Sequence, residues 1–358
     1  MSRIHVEPTG RDVTAKLARD GGKRAAGGGS RRPRWPRVLL GIGLAVVLLA
    51  GLAVVGLRVL TARYERTITR EQLLDPTARA GRTDLDGPLN YLLVGSDRRP
   101  GDTGPQQRTD TILIVHVPAG LREGYLVSVP RDLLVTIPPG GGYPGGEDKI
   151  NTAYEYGGGG QAGARLLSAT LTKLTGIRFD GAALVDFAGL RSVIDLLGGV
   201  NMCVRTEVRS IHTNRVFHPG CQQMNGAQAL DFVRQRYDLP GGDYDRQTNQ
   251  QQLLGAMLER AGQTDLRSNP VQLHRLIRAV GGSLTLDTNG VPVEDLLLAL
   301  RGLSKDALRG VQVPSYPQTI DQVSYVVLDN GSDGLFEAVR GSRMPQWAGA
   351  HQRWVTRL

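Results

Sequence analysis

Charged residues stand at the ends of three successive apolar runs in this 358-residue sequence. Asp97 follows the first run, Arg108 and Asp110 lead into the second, and Arg131 follows the third. The runs, each predicted to be a buried strand, are 89–94, 111–117 and 125–129. Ligands of α/β sheets bind outside strand ends, Mg²⁺ takes one or two carboxylates together with phosphate oxygens, and arginine holds phosphate through paired hydrogen bonds. We therefore expect Asp97 and Asp110 to share a divalent cation, and Arg108 and Arg131 to hold phosphate groups.

The alternative for each motif is a solvated turn charge or a surface ion pair. A pattern of three residues is weak, and any one of these motifs taken alone favours that alternative. Three such motifs at successive strand ends favour a site.

A second group of cations comes later in the chain. Arg234 and Arg236 end a predicted helix over 227–236, and Gly241–Arg246 leads into a glutamine-rich helix start. We expect a second basic wall for a polyanionic group, to which Lys149 adds one more cation. The alternative is that arginines at the end of a helix balance its macrodipole.

The elements that must position these residues alternate between strands and helices without a linker. Further strands are predicted at 311–314 and 323–328. Helices are predicted at 163–174, 187–197, 227–236, 248–261, 271–280, 293–300 and 334–339. This pattern predicts one α/β domain over residues 88–345, followed by a tail over 346–358. The loop 140–145 matches the pattern G-x-G-x-x-G, but prolines flank it and no apolar helix begins in it, so it is predicted to be a flexible loop and not a dinucleotide site.

The charge distribution argues against nucleic acid and for a membrane. The net charge is +9, but residues 1–37 hold ten basic and three acidic residues, which leaves only +2 for the remainder. Residues 38–57 contain no charge and match the ~30 Å hydrocarbon core. We expect a disordered basic cytoplasmic tail (1–37), an uncleaved transmembrane signal anchor (38–57), a juxtamembrane spacer (58–87) and an extracytoplasmic domain, in a single-pass type II topology. A buried soluble helix is the alternative for the apolar segment.

The two cysteines, Cys203 and Cys221, form an isolated pair. In an extracytoplasmic chain such a pair most simply forms a disulfide, and two buried free thiols are the alternative. The scattered histidines give no zinc pattern.

Seven segments, taken in order, resemble the LytR–CpsA–Psr family of envelope phosphotransferases. They are YLLVGSDRR, RTDTILIVHV, LVSVPRDLLVTIP, KINTAYEYGG, DLLGGVNMCV, MNGAQALDFVRQRY and GGDYDRQTNQQQLL. The resemblance implies a mixed central β-sheet flanked by helices behind one N-terminal transmembrane helix. It also implies transfer of a glycan-1-phosphate from a polyprenyl-pyrophosphate carrier to a cell-wall hydroxyl, usually on peptidoglycan. The cysteine pair is similar to one in actinobacterial members.

The resemblance assigns roles to individual residues. Asp97 and Asp110 become Mg²⁺ ligands, and Asp132 orients neighbouring arginines. The residues expected around the pyrophosphate are Arg108, Arg131, Lys149, Arg234, Arg236, Arg246 and Gln250, of which Arg108 and Arg131 are counted with the three aspartates as catalytic. Asn249 stands where the family often repeats an arginine, and Asp245 replaces a usual glycine, which weakens the assignment of Arg246 and of the glycan.

The polyprenyl tail needs an apolar slot. Residues at helical spacing that could line it are Phe179, Leu184, Val185, Phe187, Leu190 and Val193. Core packing is the more frequent use of such residues. Two other functions stay open: a hydrolase that uses water as the acceptor at the same site, and a non-catalytic envelope regulator of the kind once labelled a transcriptional attenuator.

Overall fold

The computed structural model describes residues 69–82, 84–96, 109–263, 284–292, 295–296 and 299–358. The predicted cytoplasmic tail (1–37), the predicted signal anchor (38–57), Asp97, Arg108 and the predicted helix over 271–280 lie outside the described residues. None of the described helices is long and apolar enough to cross a membrane. The signal anchor therefore stays a prediction.

A mixed sheet places the three predicted apolar strands side by side. The described strands are β1 (Thr69–Arg70), β2 (Leu89–Ser96), β3 (Thr109–Val117), β4 (Gly124–Ser128), β5 (Leu134–Ile137), β6 (Gly146–Lys149), β7 (Gly181–Asp186), β8 (Val200–Val204), β9 (Val208–Arg209), β10 (Val216–Phe217), β11 (Gly220–Met224), β12 (Leu284–Asp287), β13 (Leu308–Gln312), β14 (Ser315–Ile320), β15 (Val323–Leu328) and β16 (Val355–Arg357). Eight of them form the central sheet in the order β1-β12-β7-β2-β3-β4-β13-β16. Strand β3 is antiparallel to β2 and β4, whereas β2–β7 and β4–β13 are parallel. The expected mixed α/β architecture is confirmed.

Helices cover both faces of this sheet. The described α-helices that we number are α1 (Ile150–Tyr156), α2 (Gly160–Thr175), α3 (Phe187–Leu196), α4 (Gly226–Val233), α5 (Asp243–Gln263), α6 (Ser332–Arg340) and α7 (Met344–Ala350). Side chains alternate along a strand, so Ile112 and Ile114 of β3 belong to the main core with α2 and α6. Leu113 of the same strand faces the other side, where it packs in a smaller core with Leu254 and Leu258 of α5.

A buried amide fixes α5 to the sheet. Gln251 is fully buried, and its Nε2 lies 2.9 Å from the carbonyl oxygens of Leu126 and Val311 and 2.8 Å from Ser128 Oγ. Gly310 lies against this side chain, and a Cβ at that position would collide with Gln251 Oε1. These contacts hold the N-terminal half of α5 beside the end of β4.

A disulfide joins the strands that precede α4. Strands β8 and β11 pair antiparallel with Cys203 opposite Cys221, and the two cysteines are bonded, as expected. One residue after β11, the side chain of Asn225 accepts from the backbone N–H of Gln228, and the side chain of Gln228 accepts from the backbone of Asn225. This capping box fixes where α4 begins.

The domain is larger than predicted at both ends. Within the predicted spacer, β1 pairs with β12, and Leu73 and Leu74 are buried in the main core. Within the predicted tail, Trp347 is only 7% exposed and β16 is paired with β13 at the edge of the sheet. Strands of two or three residues are too short to show a hydrophobic period, which is why sequence patterns missed them.

Candidate functional site

Asp110 and Arg131 meet because β3 and β4 are antiparallel neighbours. The start of β3 therefore lies beside the end of β4, where Val129 N donates to Ile112 O at 3.0 Å. Asp110 is the second residue of β3, and Arg131 is the third residue after β4. Arg131 Nη1 donates to Asp110 Oδ1.

The first turn of α5 adds two more charges to this pair. Arg246 Nη2 lies 2.6 Å from Asp243 Oδ1, and Arg246 Nη1 lies 3.7 Å from Asp110 Oδ1. Arg131 Nε is 3.8 Å from the same oxygen of Asp243. Asp110 and Asp243 therefore each stand between two arginines.

The turn after β4 contributes another pair. Asp132 Oδ1 lies 3.0 Å from Lys149 Nζ, and Asp132 Oδ2 lies 3.6 Å from Arg131 Nε. The β5–β6 hairpin returns the chain so that Lys149 pairs with Leu134. The Lys149 ammonium is also 5.6 Å from the ring centroid of Tyr325 in β15. We call these six linked residues the cleft cluster: Asp110, Arg131, Asp132, Lys149, Asp243 and Arg246.

A cleft of about 610 Å³ opens on the cleft cluster. Arg131, Asp132 and Lys149 line it, and Arg236 adds a third cation. The other lining residues are Asp148, Asn151, Thr152, Glu155, Tyr156 and Ser324. This volume is in the range of small-molecule sites, and the three cations on its wall suit an anionic ligand.

Burial and charge act differently on the two arginines of the cleft cluster. Burial lowers the pKa of Arg131, but Asp110, Asp243 and Asp132 outweigh it, so the pKa is raised overall. For Arg246 burial dominates and lowers the pKa, although Asp243 opposes the shift. A guanidinium stays charged at neutral pH in either case. Arg246, only 4% exposed, is thus a desolvated cation held by carboxylates.

Some buried polar atoms here have no hydrogen-bond partner among the described residues. They are Arg131 Nε, Asn151 Oδ1, Arg246 Nε and Gln247 Oε1. The carboxylate oxygens at 3.6 and 3.8 Å from Arg131 Nε are beyond hydrogen-bond distance. Because an unmade buried hydrogen bond costs free energy, the hydrogen bonds of the Arg131 guanidinium are incomplete within the described residues.

Comparison with known proteins agrees with the resemblance seen in the sequence. Residues 60–335 match the model of the LytR_cpsA_psr family. The chain belongs to the LytR–CpsA–Psr family. The probable cell wall biosynthesis protein LcpB of Corynebacterium glutamicum is 34% identical over 295 residues, which cover 77% of this chain and 67% of LcpB. The teichoic acid transferase TagU of Enterococcus faecalis, named for transfer from a polyisoprenyl carrier to peptidoglycan, is 26% identical over 76% of this chain and 88% of its own.

Solved structures show the same LytR–CpsA–Psr fold. The LytR-Csp2A-Psr enzyme of Actinomyces oris superimposes with a TM-score of 0.57 at 25% identity, over 76% of this chain and 95% of that one. TagT bound to LI-WTA superimposes with a TM-score of 0.59 at 20% identity, over 76% and 98% of the two chains. At that identity the likeness to TagT concerns the fold alone.

Of the two residues predicted to bind magnesium in this LytR–CpsA–Psr chain, only Asp110 belongs to the described residues. Asp110 is 25% exposed and stands beside Arg131. Asp97 is outside the described residues, but Ser96 before it pairs with Thr109, the neighbour of Asp110. Within the described ranges, no group of three or more His, Cys, Asp or Glu side chains is placed to hold a metal. Mg²⁺ needs only one or two carboxylates when phosphate oxygens complete its shell, so Asp110 fits this donor set.

Three of the described residues that were predicted to bind pyrophosphate are not on the cleft wall: Arg234, Arg246 and Gln250. The Arg234 guanidinium stacks on the ring of Phe187 at 4.6 Å. Gln250 is half-buried on α5 and is absent from the cleft lining. Their contact with pyrophosphate stays a prediction.

The residues of the predicted lipid slot are divided between the main core, a strand and a helix. Phe179 is fully buried in the main core and offers no surface to a ligand, so core packing is its role. A strand, β7, interrupts the helical spacing before α3 begins. The other five residues are half-buried: Leu184 and Val185 in β7, and Phe187, Leu190 and Val193 in α3.

Sequence patterns missed Asp243 and the α1 part of the cleft. An acidic residue in the first turn of a helix is ordinarily explained by the helix dipole, which conceals the contact of Asp243 with two arginines. Its spacing from Arg246, three residues on one helix, was the available signal. Helix α1 has seven residues, too few to show a hydrophobic period that would place Asn151 and Tyr156 on one face.

Proposed function

We propose that this protein transfers a glycan-1-phosphate from a polyprenyl-pyrophosphate carrier to a hydroxyl of the cell-wall peptidoglycan. The observation that carries the proposal is the convergence of Arg131, Lys149 and Arg236 on one cleft, in a family whose members include named teichoic acid–peptidoglycan transferases. A pyrophosphate diester carries about two negative charges, and the three cations can donate charge-assisted hydrogen bonds to its oxygens.

The chemistry asks the protein mainly for position and charge. The acceptor hydroxyl oxygen forms a bond to the phosphorus that bears the glycan, and the bond from that phosphorus to the bridging oxygen breaks. Polyprenyl phosphate leaves, and the proton of the acceptor hydroxyl balances the charge on this leaving phosphate. Arg131 and Lys149 would hold the phosphate oxygens, while Asp132 lies beside both cations. Pre-positioned donors of this kind stabilise the charge that develops in phosphoryl transfer.

Asp243 and Arg246 have a positioning role in this proposal. Arg246 is almost fully buried and is absent from the cleft lining. It holds Asp110 and Asp243 close to Arg131, and these carboxylates keep the Arg131 guanidinium in place. We therefore propose a positioning role for Arg246 and not direct contact with substrate.

A divalent cation and a membrane anchor complete the proposal. We propose that Asp110, with Asp97, binds Mg²⁺, which when bound would offset negative charge on the phosphate oxygens.

We further propose that residues 38–57 anchor the chain so that the cleft lies on the extracytoplasmic side. Protease added to intact protoplasts should then remove the C-terminal domain, and complete protection would contradict this topology.

An assay with defined substrates tests the function. The full chain in detergent is incubated with Mg²⁺, a synthetic polyprenyl-pyrophosphate-linked glycan and peptidoglycan. The proposal predicts glycan joined covalently to peptidoglycan. Release of glycan phosphate into water without attachment would favour the hydrolase, and binding of the donor without turnover would favour a regulator. The Arg131→Ala variant serves as the inactive control.

A further inference from the structure

Part of the cleft wall carries acids and a tyrosine instead of cations. Asp148, Glu155 and Tyr156 line the same cleft as Arg131, Lys149 and Arg236. A second phosphate would be repelled by Asp148 and Glu155. This part of the wall therefore suits a ligand group that is neutral and rich in hydrogen-bond donors.

The glycine-rich loop before β6 supports this part of the wall through Tyr143. Gly140 and Tyr143 exchange backbone hydrogen bonds of 3.0 and 2.9 Å, which close a tight turn. Gly141 and Gly142 between them have φ of 61° and 86°, the left-handed region that favours glycine. A Cβ on Gly146 would come within 2.8 Å of the Tyr143 hydroxyl. The loop predicted to be flexible is thus a closed turn that packs around Tyr143.

Tyr143 in turn holds Tyr156. Their rings are stacked, with centroids 4.3 Å apart and planes inclined by 13°. The Tyr156 hydroxyl donates to Asp148 Oδ2 at 2.5 Å, and Lys149 N donates to Asp148 Oδ1 at 2.7 Å. The hydrogen bond to Asp148 and then burial raise the pKa of Tyr156 to about 12, so its hydroxyl keeps its proton. Each carboxylate oxygen of Asp148 retains a further lone pair.

Asn151 is the independent sign that a ligand belongs here. Its side chain lines the cleft, is only 5% exposed, and has an Oδ1 with no hydrogen-bond partner among the described residues. Asp148 offers only acceptors, and Asn151 offers its unpartnered Oδ1 beside the donors of its amide nitrogen. Hydroxyl groups of a sugar donate to such acceptors, whereas a phosphate cannot.

We propose that Asp148, Asn151 and Tyr156 form a subsite for the saccharide acceptor, beside the cations that hold the donor. The inference rests on the proposed function, because it explains how one cleft holds both the pyrophosphate donor and the sugar hydroxyl that attacks it. The fixed Tyr143–Tyr156 pair keeps Asp148 in place, which limits the entropy lost on binding.

Binding to two separate probes tests the subsite. The full chain in detergent is titrated with a soluble β-1,4-linked N-acetylhexosamine tetrasaccharide and, separately, with inorganic pyrophosphate plus Mg²⁺. Tyr156→Phe keeps the ring against Tyr143 and removes only the hydroxyl, and Asp148→Asn keeps the shape and removes the charge. Tyr316→Phe, on exposed β14 and away from the cleft, is the matched control.

We expect Tyr156→Phe and Asp148→Asn to weaken saccharide binding at least about tenfold more than they weaken pyrophosphate binding, since each hydrogen bond to a charged group is worth such a factor. Tyr316→Phe should bind both probes as the wild type does. The inference is overturned if the wild type does not bind the saccharide, if the variants bind it normally, or if both probes weaken equally. Saccharide binding without glycan transfer would instead sink the proposed function, and transfer that is insensitive to these substitutions would sink the subsite alone.

Discussion

Two sets of arginine–aspartate contacts in this protein use the same residue types in different ways. Arg79 donates to Asp287 through Nη1 at 3.2 Å and Nη2 at 2.6 Å, and Arg82 donates to Asp180 through Nε at 2.8 Å and Nη2 at 3.0 Å. Both carboxylates are only 6% exposed, and each also accepts a backbone N–H, from Leu74 N or Asn90 N. We call Arg79–Asp287 and Arg82–Asp180 the bidentate pairs.

The carboxylates of the cleft cluster are not each bound at two points by one arginine. They are shared between cations, two contacts of Arg131 Nε are 3.6 and 3.8 Å long, and that nitrogen has no hydrogen-bond partner in the described part of the chain. A bidentate pair uses its hydrogen bonds to fasten loops to strands. An arginine whose carboxylate partners are shared with other cations and whose hydrogen bonds are incomplete can still bind a ligand. The difference separates an arginine that stabilises the fold from one that is available for chemistry.

The largest effect is expected from Arg131. Arg131→Ala should lower the rate of glycan transfer by about 10²–10³-fold, because it removes one charge-stabilising contact. Arg131→Lys should recover part of this loss and not all of it, because an ammonium cannot bridge two oxygens. Initial rates per folded molecule measure the effect. Equal rates for the lysine variant and the wild type would contradict the need for a bidentate contact.

The disulfide should affect stability more than catalysis. The double variant Cys203→Ser/Cys221→Ser opens a loop with a sequence separation of 18 residues and should lower the free energy of unfolding by about 3 kcal/mol. Denaturant unfolding of the oxidised wild type against the variant measures this. We expect a smaller change in transfer rate, because the bond lies before α4 and outside the cleft lining. A rate loss as large as that of Arg131→Ala would place this hairpin in the site.

Breaking a bidentate pair should lower the free energy of unfolding and leave the transfer rate unchanged, whereas substitution of Arg131 should mainly lower the transfer rate. Arg79→Ala leaves the Asp287 carboxylate buried without its cation and should cost about 2 kcal/mol of unfolding free energy, after allowance for the 22% exposure of Arg79. The transfer rate per folded molecule should stay near that of the wild type. If Arg79→Ala is as stable as the wild type while Arg131→Ala is not, the contrast between the two sets is wrong.

A smaller, pH-dependent effect comes from His116, which joins the Arg82–Asp180 pair through Asn90. His116 Nδ1 lies 2.8 Å from Asn90 Oδ1, and burial lowers the pKa of His116 to about 4. The unfolded chain therefore binds the proton more readily. Burial of neutral His116 therefore makes stability depend on pH. The full stability is present above about pH 6.5 and is lost as the pH falls towards 4, with a slope of at most about 1.4 kcal/mol per pH unit. His116→Gln should flatten that part of the unfolding profile, and identical slopes in both proteins would refute the assignment.

The sequence predicted the parts of the fold that carry long, regular patterns. The apolar runs of β2, β3 and β4 and the amphipathic pattern of α2 located the sheet and the charges at its strand ends. It failed where elements are short or polar, as for β1, β16 and α1. It also placed the start of α5 five residues late, because polar residues of the first turns, Asp243 among them, show no hydrophobic period.

For the site, residue types predicted which side chains come together better than they predicted which of them line the cleft. Asp110, Arg131, Asp132 and Lys149 are brought together as expected. The same reasoning gave Arg234 and Gln250 equal weight, although Arg234 lies on Phe187 and Gln250 lies off the cleft wall. Which side of a helix a residue occupies depends on packing that involves buried contacts such as those of Gln251, and no local pattern reports those contacts.

Following the phosphorus atoms tests the central claim most directly. A synthetic donor carries ³²P only in the phosphate attached to the glycan, and the full chain is incubated with it, Mg²⁺ and peptidoglycan. Transfer of a glycan-1-phosphate predicts that the label enters peptidoglycan in proportion to the glycan, and that Arg131→Ala lowers the incorporation of both by the same factor. Glycan in peptidoglycan without the label would show that the bond between sugar and phosphate breaks instead, and would contradict the phosphotransferase account.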